Sequence, residues 1–198
     1  EILPYLDDLM RATKAQMIYV SHSMAEVARL ADVIVLMREG RIIRCGAAHD
    51  VLSDPAAVPD IGVREAGAVV TAKVTSRDAG DGLSALALSS GTLYLPQVAA
   101  ADGTDMRLRI LASDIILSKE KPDGLSALNI LPAVVQSIQE GAGPGVAVAL
   151  KSGSDRLVAR ITRRSARSLK LAAGIKCYAV IKSVSVAPSN IGRGHKQE

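Results

Sequence analysis

The sequence predicts an α/β segment followed by an all-β region folded as two small barrels. Three observations carry this. Apolar residues up to Asp54 follow a helix, strand, helix, strand order. After Asp54 the pattern changes to short β-branched runs separated by Gly, Asp and Ser. Those runs fall into two sets with the same succession of turns, as a duplicated unit would.

Ile2, Leu3, Leu6, Leu9 and Met10 recur at helical spacing and predict a helix. Met17 to Val20 is a short apolar run suited to a buried parallel strand. Ser23 and Glu26 form a capping box: the hydroxyl accepts an orphan amide and the carboxylate reaches back. The helix they open runs to Leu30. Ala31-Asp32 leads into a strand over Val33–Met37, a Glu39-Gly40 turn and a return strand over Arg41–Cys45. His49–Leu52 is a last short helix before Asp54-Pro55. Two helices and a few strands cannot bury a parallel sheet, so the rest of an α/β domain is expected upstream of Glu1.

Pro55, Pro59, Gly62 and Gly67 mark a linker. Beyond it, strands are expected near Val69–Thr75, Ser84–Leu88, Thr92–Leu95, Met106–Ile110 and Ile115–Leu117. A second set follows near Asn129–Ile138, Val146–Lys151, Arg156–Ile161, Lys176–Ile181 and Val184–Ala187. Leu111-Ala-Ser-Asp and Ile181-Lys-Ser-Val take equivalent places, and a helical insert at Ser165–Leu169 belongs to the second set alone. The expected divisions are 1–54 (α/β), 55–66 (linker), 67–120 and 121–188 (two barrel units) and 189–198 (flexible tail).

Composition limits the chemistry. With four Tyr and no Phe or Trp, the core must be aliphatic. The same shortage argues against single-stranded nucleic-acid binding, which relies on aromatic stacking. The net charge of +4 is modest, and the densest basic cluster, Arg160, Arg163, Arg164, Arg167 and Lys170, is expected to be a solvated face. Cys45 and Cys177 are far apart without metal-like company, as in a reduced cytosolic chain. No apolar run approaches the roughly 20 residues of a membrane helix.

His22 lies between an apolar run and a helix start, where ligands of open parallel sheets gather. The stretch Ile18-Tyr-Val-Ser-His-Ser-Met-Ala-Glu26, with Ala31-Asp32 and Gly40-Arg41 following, resembles the switch-histidine segment of ABC-transporter ATPases. Glu1 to Leu6 resembles the helix after that family's D-loop. The resemblance covers about residues 1–53 and makes the first part the end of an ABC nucleotide-binding domain. It implies that His22 contacts the γ-phosphate of ATP at a dimer interface. The sequence has no G-x-x-x-x-G-K-[ST] loop, no Ser-Gly-Gly signature and no acidic pair after an apolar strand. ATP and Mg²⁺ are therefore expected to belong to a full-length protein, and this chain alone is expected to be inactive.

Ser126-Ala-Leu-Asn-Ile-Leu131, Ala159-Arg-Ile-Thr-Arg-Arg-Ser165 and Tyr178-Ala-Val-Ile-Lys-Ser183 resemble the molybdate-binding Mop type of the TOBE module, over about residues 125–188. Gly82-Leu-Ser-Ala-Leu86, Gly91-Thr-Leu-Tyr-Leu-Pro96 and Arg107 to Asp114 resemble the first half of the regulatory domain of molybdate-importer ATPases. The resemblance implies two OB-like barrels, a homodimer, attachment to permease subunits on the inner face of the membrane, and molybdate or tungstate as regulatory ligand. It implies that Ser126, Thr162, Ser165, Lys182 and Ser183 converge on the oxyanion at a subunit interface. Hydroxyls, amides and one Lys suit a tetrahedral dianion. Many Mop sequences read Ser-Ala-Arg-Asn, where the Arg helps bind the anion; here that position is Leu128. Two other readings share these residues: a molybdate buffer or dimerisation module, and an importer ATPase for another substrate.

Overall fold

The computed structural model describes residues 3–13, 16–141, 143–187 and 191–193. The chain is mostly β. It opens with helix α1 (Leu3–Thr13), an extended stretch over 16–20 and helix α2 (Met24–Leu30). Strands β1 (Val33–Arg38) and β2 (Arg41–Ala47) form an antiparallel hairpin, and α3 (Ala48–Leu52) follows. The hairpin turns on Glu39 (φ 50°) and Gly40 (φ 74°), the left-handed pair that matches strand twist.

Met17–Val20 is not a strand. No described residue pairs with it, and Ile18 is 95% exposed, where the sequence predicted a buried one. A parallel strand is stable only between neighbours that bond its backbone, and apolar content alone does not supply them. The capping box at α2 is half realised. Ser23 Oγ accepts the Glu26 amide at 3.4 Å, but the Ser23 amide donates to Ser21 Oγ at 3.0 Å instead of to Glu26. Glu26 turns away because two hydroxyls, Ser21 and Tyr19, donate to its carboxylate.

The segment between α3 and the barrels carries a 3-10 turn (Pro55–Ala57) and α4 (Val58–Ile61), with Pro55, Ala57 and Ala66 buried. Arg44 pairs with Asp54, and Arg38 pairs with Asp60. These ties hold the segment against the hairpin.

Ten further strands form two five-stranded antiparallel sheets. They are β3 (Gly67–Ser76), β4 (Leu83–Leu88), β5 (Gly91–Pro96), β6 (Asp105–Leu111) and β7 (Ile115–Ser118). Then come β8 (Asn129–Glu140), β9 (Gly145–Ser152), β10 (Asp155–Thr162), β11 (Lys176–Ile181) and β12 (Ile191–Arg193), with α5 (Arg163–Ser168) after β10. The sheet orders are β12-β6-β3-β4-β5 and β7-β11-β8-β9-β10. The units are therefore interlocked. β7, the last strand of the first unit, completes the second sheet, and β12, which follows the second unit, completes the first.

The duplication is exact in its hydrogen bonding at one corner. Val74 donates to Thr104 O at 2.9 Å and accepts from Gly103 at 2.7 Å. Val135 donates to Ile175 O at 2.9 Å and accepts from Gly174 at 2.8 Å. The register of β3 on β4 slips between Val74 and Ser76, and that of β8 on β9 slips between Val135 and Ser137. This register makes Ile110 the counterpart of Ile181, so the alignment of Leu111 with Ile181 is off by one residue.

The predicted strand at Val184–Ala187 is instead a 3-10 turn over Ser183–Ser185. Ser185 donates both its amide and its hydroxyl to Lys182 O, which curls the chain and turns Val186 into the core. The missing strand is β12, within the expected flexible tail; the rest of 189–198 lies outside the described residues.

The core is aliphatic, as the composition required. Leu86, Leu93, Leu95, Leu108, Leu131, Leu150, Leu157 and Ile181 are fully buried between the sheets. Tyr5, Tyr19, Tyr94 and Tyr178 lie outside it.

Candidate functional site

His22 is exposed in the turn between the 16–20 stretch and α2. The same turn fixes its surroundings: Ser21 Oγ donates to Glu26 at 2.6 Å and Tyr19 Oη at 2.9 Å. These two bonds hold the Glu26 carboxyl below its ordinary range, Ser21 contributing more, and the Glu26 bond raises the Tyr19 phenol. The imidazole is thus presented beside a carboxylate that is already occupied. One imidazole without a phosphate loop does not make a nucleotide site, and these residues do not hold ATP or Mg²⁺ by themselves.

The five candidate anion ligands separate into two groups. Ile181 lies opposite Asn129 in the β11–β8 ladder, so Ser126, Lys182 and Ser183 stand at the N-terminal end of β8. Thr162 lies opposite Gly145 and Glu140 opposite Val146, so Thr162 and Ser165 stand at the C-terminal end of β8. The two groups are roughly 35 Å apart along the strand. A single chain does not bring the five together.

Each group has its own local order. Thr162 is the N-cap of α5: its Oγ1 accepts the Ser165 amide at 3.0 Å and lies 2.8 Å from Ser165 Oγ. Arg163 is half-buried, with Nε 3.2 Å from Glu140 Oε2, so it differs from the solvated face expected of the basic cluster. Arg164 and Arg167 are exposed. At the other end, Lys182 and Ser126 are exposed and Ser183 is buried.

Asn129 was not assigned a role from sequence. It is fully buried and bridges the two sheets. Its Oδ1 accepts the Tyr94 amide at 2.6 Å, and its Nδ2 donates to Tyr94 O at 3.0 Å and to Ser183 Oγ at 3.4 Å. The signal was a lone amide in the otherwise apolar run Ala127 to Leu131. In the first unit the counterparts of Asn129 and Ser183 are Ala68 and Ala112, both buried and apolar. Only the second unit therefore carries this polar bridge.

Leu128, at 54% exposure, belongs to an uncovered apolar group with Leu125, Ile116 and Val184 around the Ser126–Lys182 end. No helix of the described residues is long and apolar enough to cross a membrane. Among the described residues no group of His, Cys, Asp and Glu is placed to hold a metal.

Comparison with known proteins agrees with this anatomy. Residues 125–188 match the TOBE domain model. The chain is 40% identical over 194 residues to the molybdenum import ATP-binding protein ModC of Mesorhizobium japonicum, covering 98% of the chain and 52% of that protein. It is 42% identical over 186 residues to ModC of Rhizobium johnstonii, covering 94% and 52%. The chain thus spans about half the length of these relatives. A solved structure of the cytoplasmic molybdate-binding protein ModG, with molybdate bound, superposes with a TM-score of 0.55 at 23% identity. It covers 63% of this chain and 94% of the other, a likeness of fold. The chain carries a TOBE domain and is, along nearly its whole length, a relative of the molybdenum import ATP-binding proteins, corresponding to a C-terminal part of them.

Proposed function

We propose that the chain is the regulatory end of the ATPase subunit of an ABC importer for molybdate, with the close of the nucleotide-binding domain attached. The observation that carries this reading is the extent of its likeness to ModC proteins, which covers both parts: 194 residues, 98% of the chain. In this reading residues 1–54 are a remnant of the ABC ATPase domain, and His22 is its switch histidine. The wider subunit binds ATP with Mg²⁺, works at the cytoplasmic face of the membrane on its permease subunits, and moves molybdate or tungstate inward.

The second barrel unit senses the transported anion. Ser126, Lys182 and Ser183 of one copy meet Thr162 and Ser165 of another. The separation of the two groups along β8 supports this, since a complete set of donors requires two chains. The exposed apolar group of Ile116, Leu125, Leu128 and Val184 supports a homodimer, whose contact would cover it. Anion held between two copies keeps the ATPase domains apart and slows transport.

The test is ATP hydrolysis by a polypeptide that joins this chain to the upstream half its relatives possess. Molybdate should slow turnover, and Lys182→Ala should shift that inhibition to higher concentration. Turnover indifferent to molybdate in both proteins would refute the sensing role.

A further inference from the structure

The two barrel units share a fold but not a charge. Residues 67–120 hold five Lys and Arg against six Asp and Glu, whereas residues 121–188 hold ten against three. Much of the difference sits at one connection. Between β5 and β6, residues 97–104 carry one acid, Asp102, and no Lys or Arg. The equivalent connection between β10 and β11 carries α5, with Arg163, Arg164, Arg167 and Lys170 and no acid. Of the three acids in the second unit, Glu140 meets Arg163, Asp155 accepts from Ser89 at the far end of β10, and Asp123 accepts the Gly124 amide. Among the described residues no carboxylate stands within ion-pair distance of Arg164, Arg167 or Lys170. Arg164 and Arg167 are exposed, and their spacing of three makes them neighbours on the helix surface. Like charges so placed repel, and no acid of α5 relieves them. Arg164 falls between Thr162 and Ser165, whose hydroxyl oxygens are 2.8 Å apart. These two candidate ligands therefore lie in a field of unrelieved positive charge.

We propose that Arg164 and Arg167 determine specificity for charge at the anion site, favouring a tetrahedral dianion over a monoanion of the same shape. The proposal rests on the sensing role argued above. A tetrahedral dianion brings two negative charges, and among the five candidate ligands Lys182 alone is charged. The hydroxyls of Ser126, Thr162, Ser165 and Ser183 read the oxygens of either kind of anion and do not tell one charge from two. The α5 guanidiniums supply the remaining positive charge through the field that they set at Thr162 and Ser165, without serving as ligands.

Calorimetric titration of the whole chain with molybdate, alone and in competition with perrhenate, tests this at fixed ionic strength. The two are tetrahedral oxyanions of nearly the same size, one with two charges and the other with one. The parent should favour molybdate. Arg164→Gln/Arg167→Gln should narrow that preference by about three- to tenfold, the scale of exposed ion pairs. Arg164→Lys/Arg167→Lys keeps the charges and should keep the preference. Lys151→Gln/Lys176→Gln removes two charges from the middle of the sheet, where both residues lie opposite Val134. Arg156, the β10 partner of Lys151, is six residues before Thr162, which puts this row roughly 20 Å from the hydroxyl pair. That is more than two Debye lengths at physiological salt, so this variant should match the parent. Equal weakening of both anions in the glutamine variant overturns the proposal. So does a preference lost in the lysine variant, or an equal narrowing in Lys151→Gln/Lys176→Gln. A parent that binds neither anion refutes the sensing role, and this proposal falls with it. A parent that prefers molybdate equally with and without Arg164 and Arg167 refutes this proposal alone.

Discussion

The Asn129 side chain stands in for a neighbouring strand at Tyr94, accepting its amide at 2.6 Å and donating to its carbonyl at 3.0 Å. One buried amide thus joins the edge of the first sheet to the first residue of β8 and, through Nδ2, to Ser183. Asn129→Leu removes both bonds and leaves the Tyr94 backbone unpaired. Two neutral hydrogen bonds and the orphaned groups together cost about 2–3 kcal/mol. Urea denaturation should show a lower midpoint with an unchanged slope. A midpoint equal to that of the parent would mean that water replaces the amide without loss.

The two cysteines should separate cleanly by reactivity. Cys45 is exposed on β2, whereas Cys177 is buried and its thiol is pushed up by burial. A thiol reagent at about pH 8 should modify Cys45 quickly and Cys177 only after unfolding, since the thiolate is the reacting species. Two equally fast thiols in the folded chain would contradict the packing of β11.

The start of α2 should loosen in acid. The Glu26 carboxyl is held below its ordinary value by the Ser21 hydroxyl first and the Tyr19 hydroxyl second. A lowered native pKa gives stability that is present above the unfolded value of about 4.3 and is lost as pH falls through the native one. Carbon-detected titration of Glu26 should therefore move upward in Ser21→Ala. An identical curve in that variant would remove Ser21 as the cause.

In a protein that includes the upstream half, the proposed switch role predicts that His22→Ala nearly abolishes ATP hydrolysis while nucleotide binding persists, because in that role the imidazole acts on the γ-phosphate and supplies little of the binding. Near-normal turnover would make His22 an ordinary exposed loop residue.

Much of the fold was legible because its signals are local. Alternating apolar residues bounded by Gly turns placed nine of the ten barrel strands, and the register slips at Val74 and Val135 confirm the repeat. The failures are non-local. Val184–Ala187 has strand-like residues, but two bonds to Lys182 O curl it into a turn. Met17–Val20 has the composition of a buried strand and no described partner to bury it. The exchange of β7 and β12 between sheets leaves no mark in spacing, since either pairing buries the same faces. The division of Ser126, Lys182 and Ser183 from Thr162 and Ser165 was equally hidden. Motif order does not state which end of a strand each segment occupies, whereas the ladder does.

The most direct test of the sensing role is calorimetric titration of this chain with molybdate, beside Lys182→Ala, Thr162→Ala and Leu128→Arg. The parent should bind one anion per chain of the proposed dimer, since each chain offers one group of each kind. Lys182→Ala should weaken affinity by roughly ten- to hundredfold, the worth of one charge-assisted hydrogen bond of about 1.5–3 kcal/mol. Mixing Lys182→Ala with Thr162→Ala chains should restore parental affinity in half of the sites of the mixed dimers, because one interface then pairs an intact group from each. Leu128→Arg should strengthen binding. Absence of molybdate binding in the parent and in Leu128→Arg alike would contradict the account and leave the barrels as a dimerisation module.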